Sequence, residues 1–235
     1  LLVVTKPTGL PTQEPPRGGD ALSLRVRAYL KDSKVDTDRR GNERSVGDLH
    51  RLDRDASGLL VYGKRKRATA KLAAAFRQHA VTRSYLAVVR THVPVGDQVI
   101  SEPLERCKDG RSRCSSTGLA AETDIISLDF DRERSVALLG ARLKTGRTHQ
   151  IRAHLAWAVG AIVGDGMYGD PGDGAGPLTE RRIALHAAEL ALRHPRTGQW
   201  LRIYDPPAED FWALLPGTAL SIPERWWERW KEEKE

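Results

Sequence analysis

The sequence predicts an α+β fold in which neighbouring strands are joined mainly in antiparallel fashion. Three observations carry that expectation. Apolar runs of strand length recur along the 235 residues, three stretches with helical patterning stand between them, and turn signals rich in Gly and Pro separate the two. No internal repeat or long low-complexity linker divides the chain. Residues 1–235 are therefore read as one domain, with residues 216–235 as a helical C-terminal tail.

In chain order, residues 1–6 read as a buried strand closed by the turn Lys6-Pro7-Thr8-Gly9. Asp20 is placed to cap a helix over residues 21–31, with Leu22, Val26, Tyr29 and Leu30 on or near one face. Residues 32–48 are charged and predicted to be an exposed loop. A strand over residues 58–64 leads into an alanine-rich helix over 68–80. Strands follow at 84–90, 123–130 and 135–143. Residues 148–159 read as a helix that Gly160 is placed to end in the left-handed conformation. The segment 170–177, rich in Gly and Pro, is expected to be a mobile loop. Residues 183–192 and 199–204 form a hairpin through His194-Pro195-Arg196-Thr197-Gly198. Residues 223–230 are patterned as an amphipathic helix whose tryptophans pack on the domain, with base stacking as the alternative. The charged end, 231–235, is expected to fray.

Composition narrows the function. Hydrophobic residues make up 40 % of the chain before its 21 glycines are added, which excludes disorder for the chain as a whole. The longest conspicuous uncharged apolar stretch, residues 153–164, falls well short of the roughly 20 residues that a membrane span needs. Cys107 and Cys114 cannot build a disulfide framework, and their spacing is not a zinc motif, so a reducing cytoplasmic setting without a metal site is expected. The N-terminus lacks the basic region of a signal peptide. The first residue is not Met, and Met167 is the one methionine present, which leaves room for an upstream RNA-binding module. Thirty-eight Lys and Arg against 31 Asp and Glu give a net charge of +7, favourable for a polyanion partner.

Three clusters carry residues suited to chemistry. In His50-Arg51-Leu52-Asp53-Arg54-Asp55-Ala56-Ser57-Gly58, arginines beside a carboxylate favour its ionised form, as a nucleophile or base needs; a solvated turn with local ion pairs has the same composition. In Arg83-Ser84-Tyr85-Leu86-Ala87-Val88-Val89, strand alternation puts Tyr85, Ala87 and Val89 on one face. Tyr85 is there either a core aromatic or a group that stacks on a base or moves a proton. The third cluster, Lys144 through His154, opens a helix and aims Arg152 at a fixed partner; His149 and His154, five apart, match one helical face poorly.

Taken in order, His50-Arg51-Leu52-Asp53-x-x-x-Ser57-Gly58, a basic residue-x-Tyr85, and Thr145-Gly146-Arg147-Thr148-His149-Gln150-Ile151-Arg152-x-His154 closely resemble the signature series of the RluA-type pseudouridine synthases. Lys6-Pro7-x-Gly9-Leu10, Ala121-Glu122-Thr123, Gly164-Asp165-x-x-Tyr168-Gly169 and Leu185-His186-Ala187 with His194-Pro195 resemble further parts of the same template, so the likeness runs from Leu1 to about Leu215. Ala56 stands where the family usually has Thr, and Arg83 where Lys is more usual.

The resemblance implies one catalytic domain, a mixed and largely antiparallel sheet with a central cleft flanked by helices. It implies isomerisation of uridine in ribosomal or transfer RNA to pseudouridine, without cofactor, metal or energy source, by a cytoplasmic protein expected to be a monomer. It makes Asp53 the essential carboxylate, acting at ribose C1′ or C2′, with Arg152 paired to it. Tyr85 would stack on the uracil and is a candidate to take the C5 proton. Arg51 would enter the RNA stack beside the flipped nucleotide, and Arg54, Lys64, Arg83 and Arg147 are candidates for phosphate contacts. Two other readings use the same residues: an RNA-binding module without catalysis, and a hydrolase with Asp53 and Asp55 as paired carboxylates.

Overall fold

Strand interiors that are apolar on both faces belong in the middle of a sheet, and two segments of this chain, residues 85–89 and 136–141, meet that condition. In the computed structural model, which describes residues 1–32, 47–169 and 182–230, they do occupy the middle. The elements in chain order are β1 (Leu2–Lys6), α1 (Leu22–Asp32), β2 (Ser57–Tyr62), α2 (Lys66–Arg77), β3 (Thr82–Arg90), β4 (Gln98–Ile100), β5 (Leu104–Arg106) and β6 (Ser112–Cys114). There follow β7 (Thr123–Asp131), β8 (Val136–Leu143), α3 (Gln150–Ala158), β9 (Leu185–Arg193), β10 (Trp200–Tyr204) and α4 (Glu209–Trp212). Eight strands form one sheet in the order β1-β2-β9-β3-β8-β7-β4, with β10 paired to β9; β5 and β6 make a separate hairpin. Every pairing is antiparallel except the short parallel contact of β2 with β9. The expectation of an α+β fold with a largely antiparallel sheet holds.

Alternation along β2 explains how the sheet is covered. Leu59 and Val61 pack with Leu72 of α2 and with Leu190 and Leu192 of β9. Leu60 and Tyr62 point the other way, into the main core that holds Leu22, Val26 and Leu30 of α1. At the start of β2, Gly58 has φ +115°, and a Cβ there would lie 2.4 Å from the Ala187 carbonyl oxygen and 2.5 Å from its nitrogen. Only Gly lets β2 approach β9 directly after the charged turn.

The structure corrects several expectations. β1 is the sheet's edge and mostly half-buried, because it pairs on one side alone. Asp20 pairs with Arg25, while the Pro11 and Thr12 carbonyls accept the Leu22 and Ser23 amides that open α1. Tyr29 is 62 % exposed, off the apolar stripe. Gly160 does not take the left-handed conformation; its missing side chain admits the Arg90 carbonyl, which would sit 2.0 Å from a Cβ. The short strands β4 to β6 and helix α4 had no pattern long enough to announce them. The expected loop at 32–48 lies largely outside the described residues, as do the loop at 170–177 and the last five residues.

Among its described residues, 216–230, the C-terminal segment is not a helical tail: it makes a single 3-10 turn, Trp226–Arg229. Its tryptophans nevertheless pack on the domain. Trp226 is buried against Gly140 of β8, where a Cβ would come within 2.7 Å of the indole, and Arg142 lies 4.3 Å from the Trp230 ring. Trp227 packs on Tyr204 at 4.6 Å. With Trp226 and Trp230 buried, the base-stacking alternative loses its rings.

Gly58→Ala is expected to cost about 2–5 kcal/mol, from a strained φ and a backbone clash together. Urea denaturation measures it.

Candidate active site

The charged turn between Leu52 and Ser57 cannot order itself by apolar packing, so hydrogen bonds from the chain's first residues hold it. Thr12 Oγ1 donates to the Leu52 carbonyl at 2.9 Å and accepts the Leu52 amide at 3.1 Å. The fully buried Lys6 donates to the carbonyls of Pro7, Leu10 and Arg54 at 2.8, 2.8 and 2.9 Å. Burial pushes the Lys6 ammonium down to about 8, against the pull of Asp55 and Asp53, so it still carries its charge at neutral pH. The Asp55 carbonyl accepts from Thr8 Oγ1 and from the Ile183 amide. Ahead of the turn, His50 Nε2 accepts the Val61 amide at 3.0 Å and the ring stacks on Phe76 at 4.7 Å. Part of His50 reaches solvent, but its ring nitrogens face inward, and burial lowers its pKa to about 3.

A second set of contacts brings α3 against this turn. Gln150 ties the helix start to β7, donating to the Glu122 carbonyl and Thr123 Oγ1 while accepting from Thr145 and the Arg147 amide. Two residues on, Arg152 is buried between two carboxylates. It reaches Asp53 Oδ2 at 3.0 Å through Nη1, and it grips Asp165 through Nε at 2.6 Å and Nη2 at 2.8 Å. The guanidinium also lies 5.0 Å from the Tyr168 ring. Burial alone would lower the Arg152 pKa, but Asp165 first and Asp53 second raise it, so the cation is permanent.

His149 precedes the helix with φ 53°, a conformation uncommon outside Gly. Its Nδ1 lies 3.1 Å from the Tyr168 hydroxyl, which accepts the Ser112 amide at 2.7 Å. Its Nε2 lies 3.8 Å from Asp53 Oδ1. Burial lowers the His149 pKa, with Asp53 opposing, so the ring is neutral at pH 7.

Asp53, Arg152, His149, Tyr85, Arg51 and Arg147 meet in one cleft of about 380 Å³, part of it open to solvent, over an apolar floor of Leu52, Leu143, Ile151 and Leu185. Tyr85 lines the cleft from β3, where its strand neighbours are the small Ala141 and Ala187, and its side chain is buried. Burial pushes the Tyr85 hydroxyl above the ordinary phenol range.

The structure thus gathers Arg51, Asp53, Tyr85, Arg147 and Arg152. Arg54 is exposed beside them and donates to the Gly9 carbonyl at 3.0 Å. Arg83 is half-buried, over the Phe76 ring and donating to the Thr145 carbonyl at 3.3 Å. Lys64 is not brought to the cleft: the six residues of β2 separate it from the turn, about 20 Å along the strand. Asp55 does not line the cleft, and the second carboxylate in the site is Asp165, already held by Arg152. His154 is structural, bonded to Thr123 and the Glu102 carbonyl. No cluster of metal-binding side chains occurs among the described residues. Asp165, His149, Tyr168 and Lys6 were visible as motif letters, but nothing local in the sequence joins them to Asp53.

A family profile described as RNA pseudouridylate synthase matches residues 1–157. Ribosomal large subunit pseudouridine synthase C of Pasteurella multocida is 35% identical over 88% of this chain, which spans 61% of that relative's length. Ribosomal large subunit pseudouridine synthase D of Zymomonas mobilis is 33% identical over 94% of this chain and 71% of its own. Among solved structures, human RNA pseudouridylate synthase domain containing 4 superposes with a TM-score of 0.69 at 23% identity, covering 91% of this chain and 88% of that one, a likeness of fold.

His50 stays neutral in the fold because burial and the nearby Arg83 disfavour its cation, whereas in the unfolded chain it protonates near pH 6.5. Its folded value is the lower one, so stability is full above that pH and is lost as pH falls below it. Between pH 7 and pH 5 this residue alone is expected to remove about 2 kcal/mol, and His50→Asn to flatten the dependence, as read by urea denaturation at the two pH values.

Proposed function

The chain belongs to the RNA pseudouridylate synthase family, and from that premise we propose that it converts uridines of ribosomal or transfer RNA to pseudouridine in the cytoplasm, acting as a monomer. The observation that carries the assignment is a carboxylate fixed by a buried guanidinium at 3.0 Å in a cleft that Tyr85 also lines.

The reaction breaks the bond from uracil N1 to ribose C1′, turns the base, joins C5 to C1′, removes the C5 proton and leaves a proton on N1. Atoms balance without a redox partner, so no cofactor is called for. Arg152 occupies Asp53 Oδ2, which leaves Oδ1 to act on the ribose, by attack at C1′ or by taking a proton at C2′. Both routes need a carboxylate that is oriented before substrate arrives, and a cation anchored on its far side holds it so. Tyr85 meets the base as a neutral phenol: its ring stacks on the uracil, and a proton taken from C5 must be handed on in the same step. The apolar floor keeps the detached base from exchanging with water. Arg51, exposed at the mouth, fills the gap left in the RNA stack, offsetting the few kcal/mol that flipping costs. Arg54 and Arg147 at the rim take flanking phosphates, and Arg83 steadies the Thr145–Arg147 loop from behind as well as adding charge.

Tritium release from C5-labelled uridine in unmodified ribosomal and transfer RNA transcripts tests the assignment. The wild type is expected to release label, and Asp53→Asn to lose at least about 10³-fold in rate while its RNA affinity stays within about twofold. RNA binding without release by the wild type would mean a binding module. Equal losses of rate and affinity would remove Asp53 from the chemistry.

A further inference from the structure

Charge is spread unevenly along this chain. Residues 56–96 contain eight Lys and Arg and no Asp or Glu, and outside that stretch 30 Lys and Arg face 31 Asp and Glu. The net positive charge of the protein therefore resides in this one segment, which runs from β2 through α2 to the end of β3. Five of the eight cations, Arg65, Lys66, Arg67, Lys71 and Arg77, lie on or directly before α2, and all five are exposed.

Arg77 sits favourably in the last turn of α2, but the placement of the other four does not serve the helix. The first turn of α2 carries cations and no acidic residue, the unfavourable sign for a helix N-terminus, and Arg67 and Lys71 repel one another at i,i+4. What α2 needs for packing it gets from Leu72 and Phe76. The far end of the helix adjoins the cleft. Phe76 stacks on His50, next to Arg51, and lies beneath Arg83, which bonds to Thr145 in the loop that carries Arg147. From there α2 runs outward for about 18 Å, with Arg77 near the cleft, Lys71 midway and Arg65 to Arg67 at the outer end.

We infer that the exposed face of α2 is a docking surface for the phosphate backbone of the substrate RNA, extending the contact beyond the nucleotide in the cleft; the inference rests on the RNA-modifying function proposed above. Phosphates are recognised by charge alone, whereas a protein partner needs an apolar or aromatic centre. Between the cations the exposed positions of α2 and its C-cap are Ala70 and Gln78, and the half-buried ones, apart from Phe76 stacked on His50, are Ala and Thr, so no large apolar or aromatic residue is exposed there. Lys64, too far from the cleft to touch the target nucleotide, joins the outer end of the strip.

The experiment compares the full chain with Arg65→Ala/Arg67→Ala/Lys71→Ala, and with Arg132→Ala/Arg193→Ala/Arg196→Ala as a control that removes the same charge elsewhere. Affinity for a ribosomal RNA transcript is measured by anisotropy from 50 to 300 mM salt, alongside tritium release. The α2 variant is expected to bind about tenfold or more weakly at 0.15 M salt and to lose roughly two units from the slope of log K against log salt, with the control near wild type. Equal weakening in both variants would reduce the effect to net charge and overturn the surface. So would undiminished RNA binding by the α2 variant, which would leave the face to an acidic partner of another kind. A wild type that binds RNA with this α2 dependence but releases no tritium would refute the enzyme assignment and keep the surface, so the two failures are separable.

Discussion

One guanidinium shared by two carboxylates organises this molecule. Arg152 comes from α3, Asp53 from the turn before β2, and Asp165 from the segment that follows the helix, so the three groups join parts of the chain that the sheet alone would not lock together. Such a joint is stable only when complete. Removing one partner from a buried pair costs about 3–5 kcal/mol, because the charge left behind has neither water nor a counter-ion. Asp165 is fully buried and takes two of the guanidinium's hydrogen bonds, whereas Asp53 takes one and keeps an oxygen toward the cleft. Asp165 is the anchor, and Asp53 is the carboxylate held ready.

The turn that carries Asp53 is equally dependent on its surroundings. Its carbonyls are held by Lys6 and Thr8, and Thr12 clasps Leu52 from both sides, so the N-terminal strand and the loop after it act as the frame for a turn some forty residues later. A neutral His50 ties the approach to β2, and Gly58 allows the exit to lie directly on β9. Few of these contacts are apolar. The site is positioned by directional bonds over an apolar floor, which suits a reaction whose geometry must be set before the base is detached.

Much of this was legible in the sequence, for identifiable reasons. Strands β3, β7 and β8 and the β9–β10 hairpin carry unbroken apolar or alternating runs, and the ordered motifs around Asp53, Tyr85 and Arg152 named the residues that meet in the cleft. What escaped depended on contacts distant in sequence. Asp165 stands in a motif whose letters do not say that it faces Arg152. Gly160 looked like a helix cap, but it serves a close approach by the Arg90 carbonyl. The tryptophans near the C-terminus had helical spacing, yet Trp226 packs on β8 from a 3-10 turn because Gly140 makes room for it. Lys64 was a candidate for a phosphate contact, and only the length of β2 shows how far from the cleft it lies.

Asp165 acts through Arg152 to hold Asp53, and the single-turnover rate of Asp165→Asn at saturating RNA probes that most directly. A rate lower by about 10²-fold, with unchanged RNA affinity and a folded protein by circular dichroism, is the predicted result. A wild-type rate in the folded variant would contradict it, since Asp53 would then be oriented without the anchor.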